Sequence, residues 1–191
     1  MGAHHAIAPN VCWAMDFQFD QTIDTRPLKI LNIIDEYSRE CLASFVARSI
    51  TAADVVAILD DLLSQRARPI YLRCDNGGEF IANVVADWSS EVGTTLWFIE
   101  PGSPWQNGRV ESFNGRLRDE MLNGELFESV KEAQVLLDRW RIQYNTYRPH
   151  SSLGRLAPEQ FLAKDIQEQR RLLRKSSRSR GWLRRKELLA A

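Results

Sequence analysis

Three acidic residues in this 191-residue chain stand where carboxylates could do chemistry. Asp75 lies in RCDNGGEF (residues 73–80), after the apolar run RPIYL and directly before an Asn-Gly-Gly turn. Asp and Asn before Gly form turns because their side chains bond the backbone and glycine accepts positive φ. Asp75 is therefore a turn-former by default and a strand-tip carboxylate by position. Asp16 sits inside CWAMDFQFDQ (residues 12–21), and Glu111 inside SPWQNGRVESFNGRLRDEML (residues 103–122). Two negative charges 4 Å apart cost about 4 kcal/mol at an effective dielectric of 20, so clustered carboxylates call for a hard dication. Oxygen ligands without His or Cys favour Mg²⁺ or Mn²⁺ over zinc. Two such ions about 3.5–4 Å apart activate a nucleophile and stabilise the leaving oxygen of an in-line phosphoryl displacement. Glu79, Glu100, Asp20 and Asp35 furnish other acid trios, and spacing alone does not choose among them.

The elements that must position these acids are legible from periodicity. In residues 12–21, Trp13, Met15, Phe17 and Phe19 alternate with Ala14, Asp16, Gln18 and Asp20, which predicts a strand with Asp16 opposite the aromatics. LKILNIID (28–35) and CLASFVA (41–47) follow at hairpin spacing, giving three antiparallel strands. The period then changes. Thr51 and Asp54 form a capping box before the stripe Val55, Ile58, Leu59, Leu62 and Leu63, so a helix is expected over 51–66. PIYLRC (69–74) reads as a fourth strand, residues 80–92 as a helix and TTLWFI (94–99) as a fifth strand. Ser103 as N-cap, Pro104 at the first helical position and Gln106 three after the cap open a helix over 104–122, with Val110, Phe113, Leu117 and Met121 as its buried stripe. Ser129 and Glu132 open the next, which stops at Arg148-Pro149. The order β-β-β-α-β-α-β-α-α implies one mixed sheet flanked by helices. Ligand sites in such sheets gather beyond the carboxyl ends of strands, which suits Asp75. A right-handed crossover through the 51–66 helix permits strands one and four to be parallel neighbours, bringing Asp16 beside it.

Composition narrows the class. A hydrophobic share of 44% supports a core, and no apolar run approaches a membrane span. Residues 1–10 lack the pattern of a signal peptide. Cys12, Cys41 and Cys74 have no CxxC spacing and read as reduced, buried residues, with neither disulfide nor zinc suggested. Net charge is zero but divided. Residues 163–191 hold ten Lys/Arg and three Asp/Glu, and residues 1–162 hold fifteen and twenty-two. A basic arm on an acidic body suits a polyanionic partner; a solvated tail is the plainer reading. The expected organisation is a flexible N-terminus over 1–10, a core over 11–162, and a basic C-terminal tail over 163–191, disordered in part or whole.

WAMDF, CDNGGEF and PWQNGRVESFNGRLRDE, with thirty-five residues between Asp75 and Glu111, resemble the Asp-Asp-Glu core of retroviral-integrase-like transposases, and above all the OrfB-type transposases of bacterial insertion sequences. YNTYRPHSSLGRLAPEQF (144–161) is similar to the ending those proteins carry after the catalytic helix. The resemblance covers residues 10–162. It implies a ribonuclease H-like fold, Asp16, Asp75 and Glu111 as the metal-binding catalytic triad, Mg²⁺ or Mn²⁺ as cofactor, and cutting and joining of DNA at element ends. The partners it implies are DNA, further copies of the chain on that DNA, and a helix-turn-helix recognition segment or subunit outside this chain. It also implies a bacterial, cytoplasmic, nucleoid-associated setting.

Further residues follow from the same helix. Gln106, Asn107, Arg109, Asn114, Arg116 and Arg118 are donors suited to phosphates and bases, and Arg118 shares the face of Glu111, so DNA contact is expected there. Trp105 reads as core before a stacking residue, and His150 as a group satisfying a loop or helix end. The alternatives are a ribonuclease H-like nuclease without joining activity, in which Asp54 on the first helix is an added acid, and an inactive DNA-binding remnant.

Overall fold

The computed structural model describes residues 6–80, 82–100 and 104–189. Its centre is a five-stranded sheet in the order β3-β2-β1-β4-β5. β1 (Cys12–Gln21), β2 (Pro27–Asp35) and β3 (Cys41–Ala47) are antiparallel neighbours, while β4 (Tyr71–Cys74) lies parallel to β1 and β5 (Thr95–Phe98) parallel to β4. The mixed sheet and the parallel placement of strands one and four are as expected.

Helices cover both faces, which is why β1 opens with four consecutive buried residues, Cys12, Trp13, Ala14 and Met15. Trp13 and Met15 face α1 (Ala52–Gln65) and α2 (Asn83–Val92), packing with Val55, Leu59 and Trp88. Ala14 faces the other way, toward α3 (Gly108–Glu120) and α4 (Val130–Thr146). There Phe113 meets Tyr144 edge-on at 5.0 Å and Trp140 at 5.5 Å. Buried aromatics of this size contribute about 2–3 kcal/mol each from area alone, and edge-on pairing adds to it. Since side chains alternate along a strand, Asp16 shares Ala14's face and points toward α3.

Local signals acted largely as read. Thr51 and Asp54 close a full capping box on α1. Ser129 accepts from the Glu132 N–H at 3.1 Å, whereas the Glu132 carboxylate bonds the Glu128 N–H instead of returning to Ser129. α2 begins at Asn83, because Phe80 is still held in the preceding turn by its N–H to the Gly77 carbonyl at 2.9 Å. The segment expected as a single helix over 104–122 divides into a 3-10 turn, Pro104–Asn107, followed by α3. Ser103 and the side chain of Trp105 lie outside the described residues.

The basic segment expected as a tail differs most from its reading. α5 runs Pro158–Leu189 as one helix. Pro158 stands where a helix tolerates it, and thereafter Gln, Glu, Arg, Leu and Lys dominate with no further proline. Phe161 anchors its start against Tyr37, with ring centroids 5.4 Å apart.

β3 is an edge strand, and α4 supplies what a sixth strand would have supplied. Asn145 bonds both the N–H and the carbonyl of Cys41, each at 2.9 Å. Gln134 takes the Val46 N–H and gives to the Ser44 carbonyl, also at 2.9 Å. Side-chain amides thus satisfy an edge that would otherwise invite pairing with another chain.

Candidate active site

β1, β4 and α3 each deliver one acid. Ala14 pairs with Arg73 in the parallel β1–β4 ladder, so two residues further on Asp16 and Asp75 come level beyond the end of β4. Asp75 is held by the turn that follows it: its Oδ1 accepts the Gly77 N–H at 2.9 Å. A Cβ on Gly77 would sit 2.9 Å from that same oxygen, so the glycine is needed for close approach rather than for positive φ. One carboxylate oxygen of Asp75 thus makes the turn, and the residue stays exposed to solvent.

Asp16 is half-buried on the sheet and locked at both oxygens. Oδ1 accepts its neighbour Phe17 N–H at 2.9 Å and Oδ2 accepts the Asn114 amide at 2.8 Å. Asn114 in turn accepts from Asn32 Nδ2 at 2.8 Å, Asn32 accepts from Ser44 at 2.6 Å, and Gln18 donates to the Asn114 carbonyl at 3.0 Å. This polar ladder crosses three strands into α3, and a satisfied buried network fixes the helix against β1. It sets Glu111, three residues before Asn114, on the same side of α3 as Asp75.

The charges feel one another. Burial first, then Asp75 and more weakly Glu111, push the Asp16 carboxyl from 3.8 up to about 6, against the lowering effect of its two hydrogen bonds. Glu111 is exposed and makes no hydrogen bond among the described residues. No three Asp, Glu, His or Cys side chains among the described residues enclose a point tightly enough to hold an ion as they stand. The donor set nevertheless fits a hard dication: carboxylate oxygens only, in excess of local positive charge, one already raised by its neighbours.

Four of the competing acids are occupied elsewhere. Asp35 is the hub of the β2–β3 turn, accepting from Asn10, Tyr37 and Ser38. Glu79 pairs with Lys29. Asp20 pairs with Arg118 at 3.6 Å. Asp54 spends its carboxylate on the Thr51 cap. Glu100 is exposed, outside the regular elements.

The residues expected to face DNA divide. Arg118 lies on the Glu111 flank, its side chain 41% exposed, reaching the Phe19 carbonyl at 2.5 Å and Asp20 at the far end of β1. Gln106 is half-buried and accepts the Glu100 N–H at 3.1 Å. Asn107 is 3% exposed, Arg109 turns onto Glu36, and Asn114 turns onto Asp16. As placed, all three point to the interior, and Arg109 and Asn114 bond the start of α3 to the body of the fold. Sequence reading missed the group that does so. Arg73 gives one nitrogen to Glu36 at 2.7 Å and to the Gln106 carbonyl at 2.9 Å, and its guanidinium lies over the Trp97 ring at 4.2 Å. A charged residue inside the apolar strand YLRC, and Asn32 inside LKILNIID, were the available signals.

The reduced-cysteine reading agrees with burial of all three thiols, each pushed up to about 12 chiefly by desolvation. No helix among the described residues is long and apolar enough to cross a membrane.

Comparison with known proteins follows the same lines. Two family models described as integrase core domain match residues 6–104 and 92–158. The chain is 43% identical over 155 residues to an uncharacterised 39.2 kDa protein of insertion element IS476 from Xanthomonas euvesicatoria, covering 81% of this chain and 45% of that protein. It is 38% identical over 157 residues to an uncharacterised 31.7 kDa protein of insertion element IS407 from Burkholderia multivorans, covering 82% and 57%. To the transposase InsF of insertion sequence IS3A from Escherichia coli it is 29% identical over 168 residues, covering 85% and 57%. The chain thus spans about half the length of the curated relatives it matches. Among solved structures, the catalytic core of BIV integrase superposes with a TM-score of 0.64 at 20% identity over 84% of this chain and 98% of that one. The HTLV-2 integrase core, in complex with magnesium, gives 0.63 at 14% identity over 82% and 98%. Those two likenesses establish the ribonuclease H-like fold. The family model over residues 6–104, just over half of the chain, establishes that it belongs to the integrase core domain family.

Proposed function

We propose that this chain cleaves the ends of a mobile element and joins them to new DNA by metal-assisted phosphoryl transfer, with Asp16, Asp75 and Glu111 as the ligands of Mg²⁺ or Mn²⁺. The observation that carries the reading is electrostatic: acids from β1, β4 and α3 converge until Asp16 is raised to about 6 by burial and by the other two. A dication bound there supplies Lewis acidity at the phosphoryl oxygens and lowers the pKa of the attacking hydroxyl or water. The chain's own residues do the rest. Asn114 and the Phe17 N–H orient Asp16, the Gly77 N–H orients Asp75, and exposed Glu111 closes the ligand set from α3. Incubating the protein with labelled element-end DNA and Mn²⁺ tests the reading. Joined products support it, cleavage without joining replaces it with a nuclease, and binding without chemistry replaces it with a remnant.

Arg118 extends the site along DNA. It lies two turns after Glu111, about 10 Å along the helix, near the phosphate one or two nucleotides from the scissile one. Its exposed pair with Asp20 is worth under about 1 kcal/mol. Arg118→Ala is therefore expected to leave the melting temperature and Mn²⁺ binding nearly unchanged, raise the dissociation constant for element-end DNA and slow joining, with less effect at high salt. Wild-type affinity at low salt would remove Arg118 from the DNA path.

The basic helix α5 strengthens binding without choosing sequence. Truncation after Leu162 removes ten basic residues. It should flatten the salt dependence of binding and weaken all DNAs alike, because fewer counterions are released. An unchanged slope in a salt titration would leave this helix outside the interface.

A further inference from the structure

β2 reaches the candidate site from both faces of the sheet. On one face Asn32 donates to Asn114, which in turn donates to Asp16. Three residues earlier in the strand, Lys29 projects from the opposite face, as alternation requires. Phe19 is its cross-strand partner on β1, and Phe17 lies diagonal to it on that same face. The Lys29 ammonium stands 3.9 Å from the centre of the Phe17 ring and donates to the Ile50 carbonyl at 3.5 Å. Its remaining partner is the Glu79 carboxylate, 50 residues away in sequence. The Lys29 side chain is only 13% exposed and that of Glu79 35%, so a largely buried cation is committed to an acid on a loop.

That loop is the turn that carries Asp75. Phe80 closes it, fully buried and stacked on Phe17 with ring centroids 4.7 Å apart and planes 5° from parallel. Phe17 directly follows Asp16 and bonds its carboxylate through the backbone N–H at 2.9 Å. The far end of the turn is thus fastened to β1 and β2 through Phe80 and Glu79. At its near end Asn76 donates to the Ile99 carbonyl at 3.1 Å, and Asp75 itself is exposed, accepting the Gly77 N–H. Carboxylates brought level across β1 and β4 repel, and repulsion displaces the one carried on a turn before the one carried within a strand. A half-exposed ion pair adds little to stability, but a pair that spans a turn and a strand fixes the turn.

We propose that Lys29 is a positioning residue that holds the Asp75 turn through Glu79, so that β2 sets both aspartates: Asp16 through Asn32 and Asn114, Asp75 through Lys29 and Glu79. The inference rests on the proposed function in taking these aspartates as metal ligands. Positioning and simple charge give opposite signs for Lys29→Met, which keeps an apolar stem against Phe17. Removing a cation near the acids favours a bound dication if charge alone matters, whereas releasing the turn weakens binding.

Two measurements on the full chain test it. In metal-free protein, amide exchange at Gly77 and Phe80, whose N–H groups bond within the turn, should be about tenfold faster in Lys29→Met, with exchange in β1 unchanged. In a Mn²⁺ titration followed by the electron paramagnetic resonance of the free ion, the dissociation constant should rise about tenfold. Lys29→Arg, which keeps the charge and the reach to Glu79, should restore both. Glu79→Gln should repeat the exchange effect, and Lys29→Met/Glu79→Gln should be no worse than either single variant. Wild-type exchange at Phe80 in folded Lys29→Met would overturn the proposal, and so would Mn²⁺ affinity equal to or tighter than wild type. If Lys29→Met folds poorly, Glu79→Gln decides, and wild-type exchange at Phe80 in that variant overturns the proposal. A wild-type chain that binds no Mn²⁺ would sink the proposed function, and the exchange comparison would still decide whether Lys29 holds the turn.

Discussion

Asp16→Asn abolishes strand joining and, in the absence of metal, makes the protein more stable at about pH 8: that paired outcome is expected of a carboxylate kept for chemistry. The amide keeps the shape and loses the charge that holds a dication. The stability change follows from linkage. Asp16 titrates at about 6 in the folded chain against 3.8 as its ordinary value, so between those limits the folded state holds the extra proton. Ionising Asp16 therefore costs folding stability as pH rises from about 4 to about 6, fully above that and not at all below. The shift corresponds to about 3 kcal/mol at most. Asp16 accepts two hydrogen bonds where an asparagine offers one oxygen, so a net gain of about 1–2 kcal/mol is expected. Chemical unfolding of both proteins across pH checks this: the variant should gain on wild type between about pH 4 and 6, from the less stable of the two at the acid end to the more stable at about pH 8. Parallel profiles would mean that Asp16 carries no such strain. Mn²⁺ should raise the melting temperature of wild type more than that of the variant. Asp75→Asn and Glu111→Gln should likewise abolish joining, and substantial joining by any one folded variant would strike that residue from the triad.

The largest loss of stability is expected from Arg73→Met. Glu36 is 1% exposed, and Arg73 is its close partner at 2.7 Å; Arg109 stands at 3.9 Å from the other carboxylate oxygen, which makes no hydrogen bond. Burial raises the Glu36 carboxyl, and Arg73, Arg109 and Arg39 pull it back down. Removing Arg73 strands a buried acid and frees the Gln106 carbonyl that anchors the entry to α3. A cost of about 3–5 kcal/mol follows, with the double variant Arg73→Met/Glu36→Gln recovering much of it. Urea unfolding of both variants measures the two steps. A single-variant loss below about 1 kcal/mol would show that the pair does not hold the helix start.

Much of this was legible in one dimension because the signals are local. Alternation in CWAMDFQFDQ, the Thr51–Asp54 box and the Asn-Gly-Gly turn each draw on neighbours within a few residues, and each folds as its chemistry requires. Order of elements then constrained the sheet, since a right-handed crossover leaves few ways to set β4 beside β1. What local chemistry could not settle was where a polar side chain spends its hydrogen bonds. Asn107, Arg109 and Asn114 read as a DNA-facing set, yet Asn107 is buried and the partners of Arg109 and Asn114 lie up to about a hundred residues away and turn them inward. The choice among the candidate acids was likewise undecided by spacing. Asp35, Glu79, Asp20 and Asp54 are neutralised or bonded by groups that only folding brings near, whereas Asp16, Asp75 and Glu111 are left facing one another. Periodicity and capping act between sequence neighbours, so the chain by itself determined the strands, the helices and the candidate carboxylates. Burial and charge act through space, so the tertiary structure alone decided which acids stay uncompensated.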